Sequence, residues 1–193
     1  METTETVFDF GAGEVAAHRH VNPDGAEGGW VAETATVEPT ARVSGDARVY
    51  GDAGVYGDAW VYGDARVYGD AHVYGDARVS GDAQVSGNAL VFGDARVSGN
   101  ARVFGDAQVS DDTRVFDNAR VSGNALMYGD PQVSGYAQVF GNAQVSGNAR
   151  VSGDAQVYGK LKLTIGFYFG FLFKGETVKE IKNDDVTVLL WKD

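Results

Sequence analysis

The chain has no cysteine, three prolines, two methionines and three histidines in 193 residues. Without cysteine there is no disulfide framework, no thiolate metal site and no cysteine nucleophile. Positive charge is also scarce: 16 lysines and arginines face 27 aspartates and glutamates, a net charge of −11. Such a chain offers no broad basic face, so direct nucleic-acid binding is not expected. Lysine is absent until Lys160, and no arginine follows Arg150. Apolar runs of membrane-spanning length are missing as well. The best, over residues 161–173, is short and contains Lys162, Gly166 and Gly170, so no membrane span is expected. Residues 1–6 are acidic and polar and do not read as a signal peptide. A cytoplasmic placement follows as the simplest expectation.

What is abundant is one phrase. From Val31 to Val157 the pattern V-[YSF]-G-[DN]-A-x recurs without a break, and of its 22 valine slots all hold Val except Met127. A period of six is too short for a helical repeat and fits a hexapeptide β-helix. The Ala slot, the x slot and the next Val read in, out, in, which is a short strand. The following [YSF]-Gly-[Asp/Asn] reads as a corner, because Gly accepts positive φ and Asp or Asn bonds back to local backbone. Three phrases make an 18-residue triangular coil. The repeat therefore predicts about seven coils, a prism roughly 30–35 Å long at the usual strand spacing. Departures are few. Glu33, Pro39, Asp111 and Asp117 fill Gly slots, Thr113 and Pro131 fill Ala slots, and Tyr136 replaces a corner Asp or Asn. The cluster at 111–117 is either a deformed coil or docking spot, or drift within a redundant repeat.

The phrase, as in Val61-Tyr62-Gly63-Asp64-Ala65-Arg66, resembles the hexapeptide-repeat superfamily of left-handed β-helices. Its dialect is similar to hexapeptide-repeat proteins of bacteria and their tailed phages. The resemblance implies an all-β, single-stranded left-handed parallel β-helix, and the handedness rests on it alone. That superfamily includes acyltransferases and γ-class carbonic anhydrases, so fold alone does not assign a function.

The ends differ from the middle. Residues 1–30 read as an N-terminal cap, with a strand at Val7-Phe8-Asp9-Phe10, a turn at Asn22-Pro23-Asp24-Gly25, and Trp30 sealing the core. A solenoid needs such caps because its terminal strands expose unpaired edges. His18 and His20 are two apart and share a face of an extended strand; they are either a two-histidine metal site lacking a third ligand or simply part of an exposed strand. Residues 31–159 are the β-helix. Residues 160–193 read as a C-terminal β-meander, with one strand over 161–173 and two more over 176–182 and 186–191. Leu161, Leu163, Ile165, Phe167, Phe169, Phe171 and Phe173 alternate perfectly. Seven apolar side chains on one face exceed what a coil end covers, so the segment is a cap, an oligomerisation interface, or both.

Folding the sequence at 18 residues per coil sorts the outward x positions into three faces. The first reads Thr36, Gly54, His72, Leu90, Gln108, Leu126, Gln144; the second Arg42, Trp60, Arg78, Arg96, Arg114, Gln132, Arg150; the third Arg48, Arg66, Gln84, Arg102, Arg120, Gln138, Gln156. Two faces thus carry arginine ladders, and the first, nearly uncharged, is the better candidate for subunit packing. One corner lines up Asp58, Asp76, Asp94, Asp112 and Asp130. These carboxylates are either a calcium ladder or turn chemistry partly neutralised by arginine. Tyr56, Tyr62, Tyr68 and Tyr74, with Tyr50 before them, are either stacked ladder supports or a sugar-binding surface.

No catalytic constellation emerges. The resemblance to acyltransferases implies a histidine base at a trimer interface and a loop that breaks the coil register, but the register runs unbroken from 31 to 157. His72 is the one histidine in the repeat and has no evident orienting partner. A carbonic-anhydrase zinc site needs three histidines, mostly from the helix, and two of the three lie outside it. Ice binding favours rows of threonine that these faces lack. The expected function is a non-catalytic structural or interaction rod that self-associates, a trimer being favoured. No cofactor is expected. The phage-like dialect adds a virion-associated setting, with virion or cell-surface proteins as partners. The alternatives are a hexapeptide-type acyltransferase and an acidic DNA-mimic inhibitor.

Overall fold

The computed structural model describes residues 6–170, and all regular structure within them is β. Three sheets form the sides of a triangular prism of about eight turns, of ten, eight and eight strands. Within the repeat most strands are two residues long, an x position and its Val, as in Arg78–Val79, Gln84–Val85 and Leu90–Val91. Each pairs in parallel with the strand 18 residues away. Leu90 aligns with Gln108, Arg96 with Arg114, and Arg102 with Arg120. The three outward rows are those expected from an 18-residue coil. Inside, the valines from Val43 to Val151 and the alanines between them are fully buried, with Met127 in the one variant slot. Backbone pairing runs from coil to coil. Arg78 N–H donates to Ala95 O at 2.8 Å, Ser80 N–H to Val97 O at 2.9 Å, and at the corner Asp76 N–H to Gly93 O at 3.0 Å. The interior coils thereby satisfy the groups that irregular corners would otherwise strand.

Positive φ recurs at the corners from Gly45 to Gly159, while Glu33 and Pro39 turn the first two corners without it. Gly81 sits at φ +67°, and a Cβ there would lie 3.1 Å from Gly99 N in the next coil. Asp111 and Asp117 occupy the same conformation at φ 56° and 60°. Each compensates with its carboxylate: Asp111 Oδ2 accepts from Gly129 N–H at 2.8 Å and Asp117 Oδ2 from Gly135 N–H at 3.1 Å. The coil at 111–117 is regular, with Arg96 N–H donating to Thr113 O at 2.9 Å and Arg114 N–H to Pro131 O at 3.0 Å. Pro131 is tolerated because its slot precedes the strand and its carbonyl alone is used. Thr113 fits less well: it is fully buried in an alanine slot, and its hydroxyl has no partner.

At the N-terminus, β1 (Val7–Asp9), β2 (Glu14–Val21) and β3 (Glu27–Ala32) form an antiparallel extension of the third face. β3 then pairs in parallel with the first coil, Trp30 aligning with Arg48. Trp30 therefore stands in an outward slot and does not seal the core. Its ring stacks on Phe8 at 4.5 Å, and the Arg19 guanidinium lies over it at 4.6 Å. The open edge at Arg42–Val43 is closed by polar side chains instead. Asn22 Oδ1 accepts from Val43 N–H at 2.9 Å, and His20 Nε2–H donates to Ala41 O at 3.0 Å. Both side chains are buried. Gly28 and Gly29 make this closure fit, since a Cβ on either would collide with the carbonyl of Val43 or Ala47. A register shift in the β2–β3 pairing falls between Arg19 and Val21, where the two glycines pass His20.

At the other end the prism outlasts the repeat. Lys162–Leu163 pairs in parallel with Gln144 and Val145, and Phe167–Gly170 with the strand Arg150–Gly153. This extra rung gives two faces their eighth strand. The alternation over 161–173 is therefore not one strand with one apolar face. The chain turns a corner between Leu163 and Phe167, with Gly166 at φ +104°. Leu163 is buried and Leu161 and Tyr168 pack against the core, whereas Ile165, Phe167 and Phe169 point outward. Phe167 aligns with Arg150, 17 residues earlier rather than 18, so one residue has dropped from the phrase. Phe171, Phe173 and the strands expected over 176–182 and 186–191 lie outside the described residues.

Candidate functional site

With valine and alanine filling the interior, any chemistry must sit on the faces and corners. On the first face, His72 lies between Gly54 and Leu90 in register. Tyr56 folds back over Gly54, whose missing side chain leaves the space it fills. The Tyr56 ring centre is 5.7 Å from that of His72, and His72 Nδ1 is buried without a partner. A general base needs an orienting acceptor on one ring nitrogen, and none reaches Nδ1 among the described residues. His18 and His20 do not combine either: His18 Nδ1 meets Glu33 Oε1 at 2.6 Å, while His20 is committed to the closure.

Asp58, Asp76, Asp94, Asp112 and Asp130 form one exposed corner column, as the 18-residue fold predicts. Among the described residues no set of three or more His, Asp or Glu side chains is arranged to hold a metal ion. Neutralisation by arginine is not seen in the repeat. The ion pairs among the described residues are His18–Glu33, Arg19–Glu27 and Arg42–Asp24, all involving the N-terminal segment. Two carboxylates there are held below the ordinary range. Asp9 is lowered chiefly by the Gly11 and Gly13 N–H groups, and Asp24 by the Ala26 N–H and then Arg42.

Most of the tyrosine contacts cross from coil to coil, whereas Tyr62 packs on Trp60 of its own coil at 4.5 Å and 38°. Tyr50 lies on Tyr68 at 5.0 Å and 3°, continued by Phe10 on Tyr50 at 4.8 Å; Tyr74 lies on Phe92 at 4.9 Å and 1°. Burial pushes the Tyr50 hydroxyl above its ordinary value, with Tyr68 adding to the effect, and burial alone does so for Tyr74. Both phenols stay protonated at neutral pH. The stacked pairs lean against one another along corners, which is what ladder support requires.

The third face carries a depression. A shallow groove is lined by Asn100, Arg102, Asn118, Arg120, Tyr136 and Gln138. Arg102 and Arg120 are direct neighbours on adjacent strands and exposed. The corner beside them reads, coil by coil, Asp46, Asp64, Asp82, Asn100, Asn118, Tyr136, Asp154. Three neutral residues replace the corner acids where the groove lies.

The family model described as YdcK beta solenoid repeat matches residues 41–57, 59–75, 83–96, 95–111, 113–129 and 143–159. The matched segments cover about half of the chain and fall entirely within the prism. The chain belongs to the YdcK beta solenoid repeat family. A search of curated proteins found no match.

Membership of the YdcK solenoid family accounts for the repeat and leaves the surface to be read from its own residues. The groove was missed in the sequence because its signal is spread over three coils. Tyr136 was visible as an exception, but the run Asn100, Asn118, Tyr136 shows itself only when one corner is read at an interval of 18. The closure residues His20 and Asn22 were equally hidden. Chemically, the YdcK-type prism presents guanidinium groups, amides and aromatic rings, without a nucleophile paired to a base among the described residues.

Proposed function

We propose that this chain is a rigid, non-catalytic rod that works by presenting surfaces and by associating with copies of itself. One observation carries the reading: the 18-residue coil register runs without insertion from Val31 to Leu163, and only the last rung departs from it, by a single dropped residue. Between Val31 and Leu163 no insertion projects from the prism to wall a reaction chamber, and the interior there is filled mainly by valine and alanine. The partnerless His72 Nδ1, packed beside Tyr56, is consistent with it. Self-association is supported by the exposure of Ile165, Phe167 and Phe169, at 73%, 65% and 53%. Three large apolar groups in one short stretch make an adhesive patch in water. A trimer is the favoured assembly, and the phage-like dialect of the phrase extends the reading to a virion-associated accessory.

Light scattering on the full chain and on the double variant Phe167→Ser, Phe169→Ser tests the reading. The full chain is expected at a multiple of its 20.5 kDa mass, and the variant as a monomer. A monomeric full chain would remove self-association. Saturable binding of an acyl-coenzyme A, lost in His72→Ala, would replace the rod with an acyltransferase.

A further inference from the structure

The third-face groove goes beyond a passive rod. We propose that Arg102, Arg120 and Tyr136 form a binding site for an acidic sugar, a saturated ring bearing a carboxylate or phosphate.

Like charges directly opposite one another on neighbouring strands repel. Arg102 and Arg120 are such a pair, about one strand spacing apart. Neither meets a carboxylate within ion-pair distance among the described residues. In a chain of net charge −11, partners for arginine are plentiful, yet the corner acids give way here. Arg120 lies between Asn118 and Asn124 in its own coil, and Arg102 between Asn100 and Asp106. Asp106 Oδ1 accepts from Asn88 Nδ2 at 2.9 Å, and Asp117 Oδ2 is turned to Gly135 N–H at 3.1 Å. Each of these carboxylates thus has one oxygen engaged elsewhere. Arg78, Arg96 and Arg114 of the second face also align without ion pairs, but each follows a corner acid, Asp76, Asp94 and Asp112, where Arg102 and Arg120 follow asparagines.

Two neighbouring guanidinium groups, each a planar fork of N–H donors, suit one oxyanion, which accepts from both and relieves their repulsion. Asn100, Asn118 and Gln138 add amide donors for hydroxyl or anion oxygens. Tyr136 supplies the ring. Between residues 46 and 154 it is the sole corner residue of that slot that is neither Asp nor Asn, and it is 64% exposed. An aromatic face beside hydrogen-bond donors matches the C–H face and hydroxyl rim of a sugar. The groove is open and shallow, which fits a surface reader rather than a sealed catalytic pocket.

The test is an NMR titration of the full chain with glucuronate, glucose 6-phosphate and inorganic phosphate. Arginine side-chain and Tyr136 ring resonances are followed in wild type, Arg102→Gln, Arg120→Gln, Tyr136→Ala and the control Arg78→Gln. Saturable shifts of Arg102, Arg120 and Tyr136 with one or both sugar acids are expected. Either groove-arginine substitution should weaken them about tenfold, with Arg78→Gln unchanged. Which sugar acid binds more tightly distinguishes a carboxylate from a phosphate ligand. Tyr136→Ala should weaken the sugars while leaving inorganic phosphate unaffected. Absence of saturable shifts with every probe overturns the proposal. So does equal loss in Arg78→Gln, which would mark diffuse charge attraction. Inorganic phosphate binding as tightly as the sugars, with no effect of Tyr136→Ala, reduces the groove to an anion site and overturns the sugar assignment.

Discussion

The N-terminal closure and the repeat face the same problem, backbone groups at a strand edge, and answer it in opposite ways. In the repeat each coil supplies the partners of the one before it through its backbone, so side chains need only fill space. Valine and alanine suffice, and the answer is written many times over. At the open edge of Arg42–Val43 no earlier coil exists. Two polar side chains, Asn22 and His20, stand in for it, and two glycines let the chain pass close enough to deliver them. The difference teaches where each part is vulnerable. A change in the repeat is felt locally and shared among neighbouring coils. A change in the closure has no second copy to lean on.

The largest effect should come from forcing a side chain into the closure. In Gly28→Val the new Cβ would collide with Val43 O and crowd Asn22 Nδ2, 2.8 Å away, and His20 O, 3.0 Å away. The obstacle is mostly backbone and has no room to yield. A loss of about 3 kcal/mol is expected, at the upper end for overpacking. Chemical denaturation measures the loss, and hydrogen exchange at the Val43 amide should accelerate. Unchanged exchange there would mean that the closure does not depend on this approach.

The repeat should answer the opposite way at its one internal misfit. Thr113 buries a hydroxyl without a partner where the pattern places alanine. Thr113→Val keeps the shape and removes the orphaned group. A gain of about 1 kcal/mol is expected, read as a shift in denaturation midpoint with unchanged slope. A loss would show that the hydroxyl finds a partner in solution.

These two sites also mark what the sequence could reveal. A strict period converts directly into three faces and a packed interior, because each residue's neighbour is 18 positions away whatever else happens. The rows from Thr36, Arg42 and Arg48 onward needed no structure. Where the period ends, spacing ceases to imply contact. Trp30 looked like a core seal because it directly precedes the first valine slot, yet that spot is an outward position aligned with Arg48. The partner of Asn22 lies 21 residues onward, a separation no repeat announces. Residues 161–169 satisfied a two-residue alternation, but a coil corner between Leu163 and Phe167 sends neighbours of that alternation to opposite sides. The groove fell between these cases: periodic in position, legible only in the exceptions.

The smallest expected effect is acid sensitivity confined to the N-terminal segment. Asp9 and Asp24 have folded-state pKa values below the ordinary 3.8. A carboxylate depressed in the folded state adds stability above its unfolded pKa, and that contribution is lost as pH falls through the folded value. Both groups are exposed, so the contribution is slight and is sought by local probes rather than by global unfolding. The amides of Gly11, Gly13 and Ala26, which donate to these carboxylates at 2.7, 3.0 and 3.1 Å, should shift together as pH is lowered from roughly 6 to 2. Their midpoints should fall below 3.8. Midpoints at or above that value would show that the hydrogen bonds do not persist in solution. The contrast with the repeat would then rest on the buried pair Asn22 and His20 alone, since acid would no longer separate the two ends of the comparison.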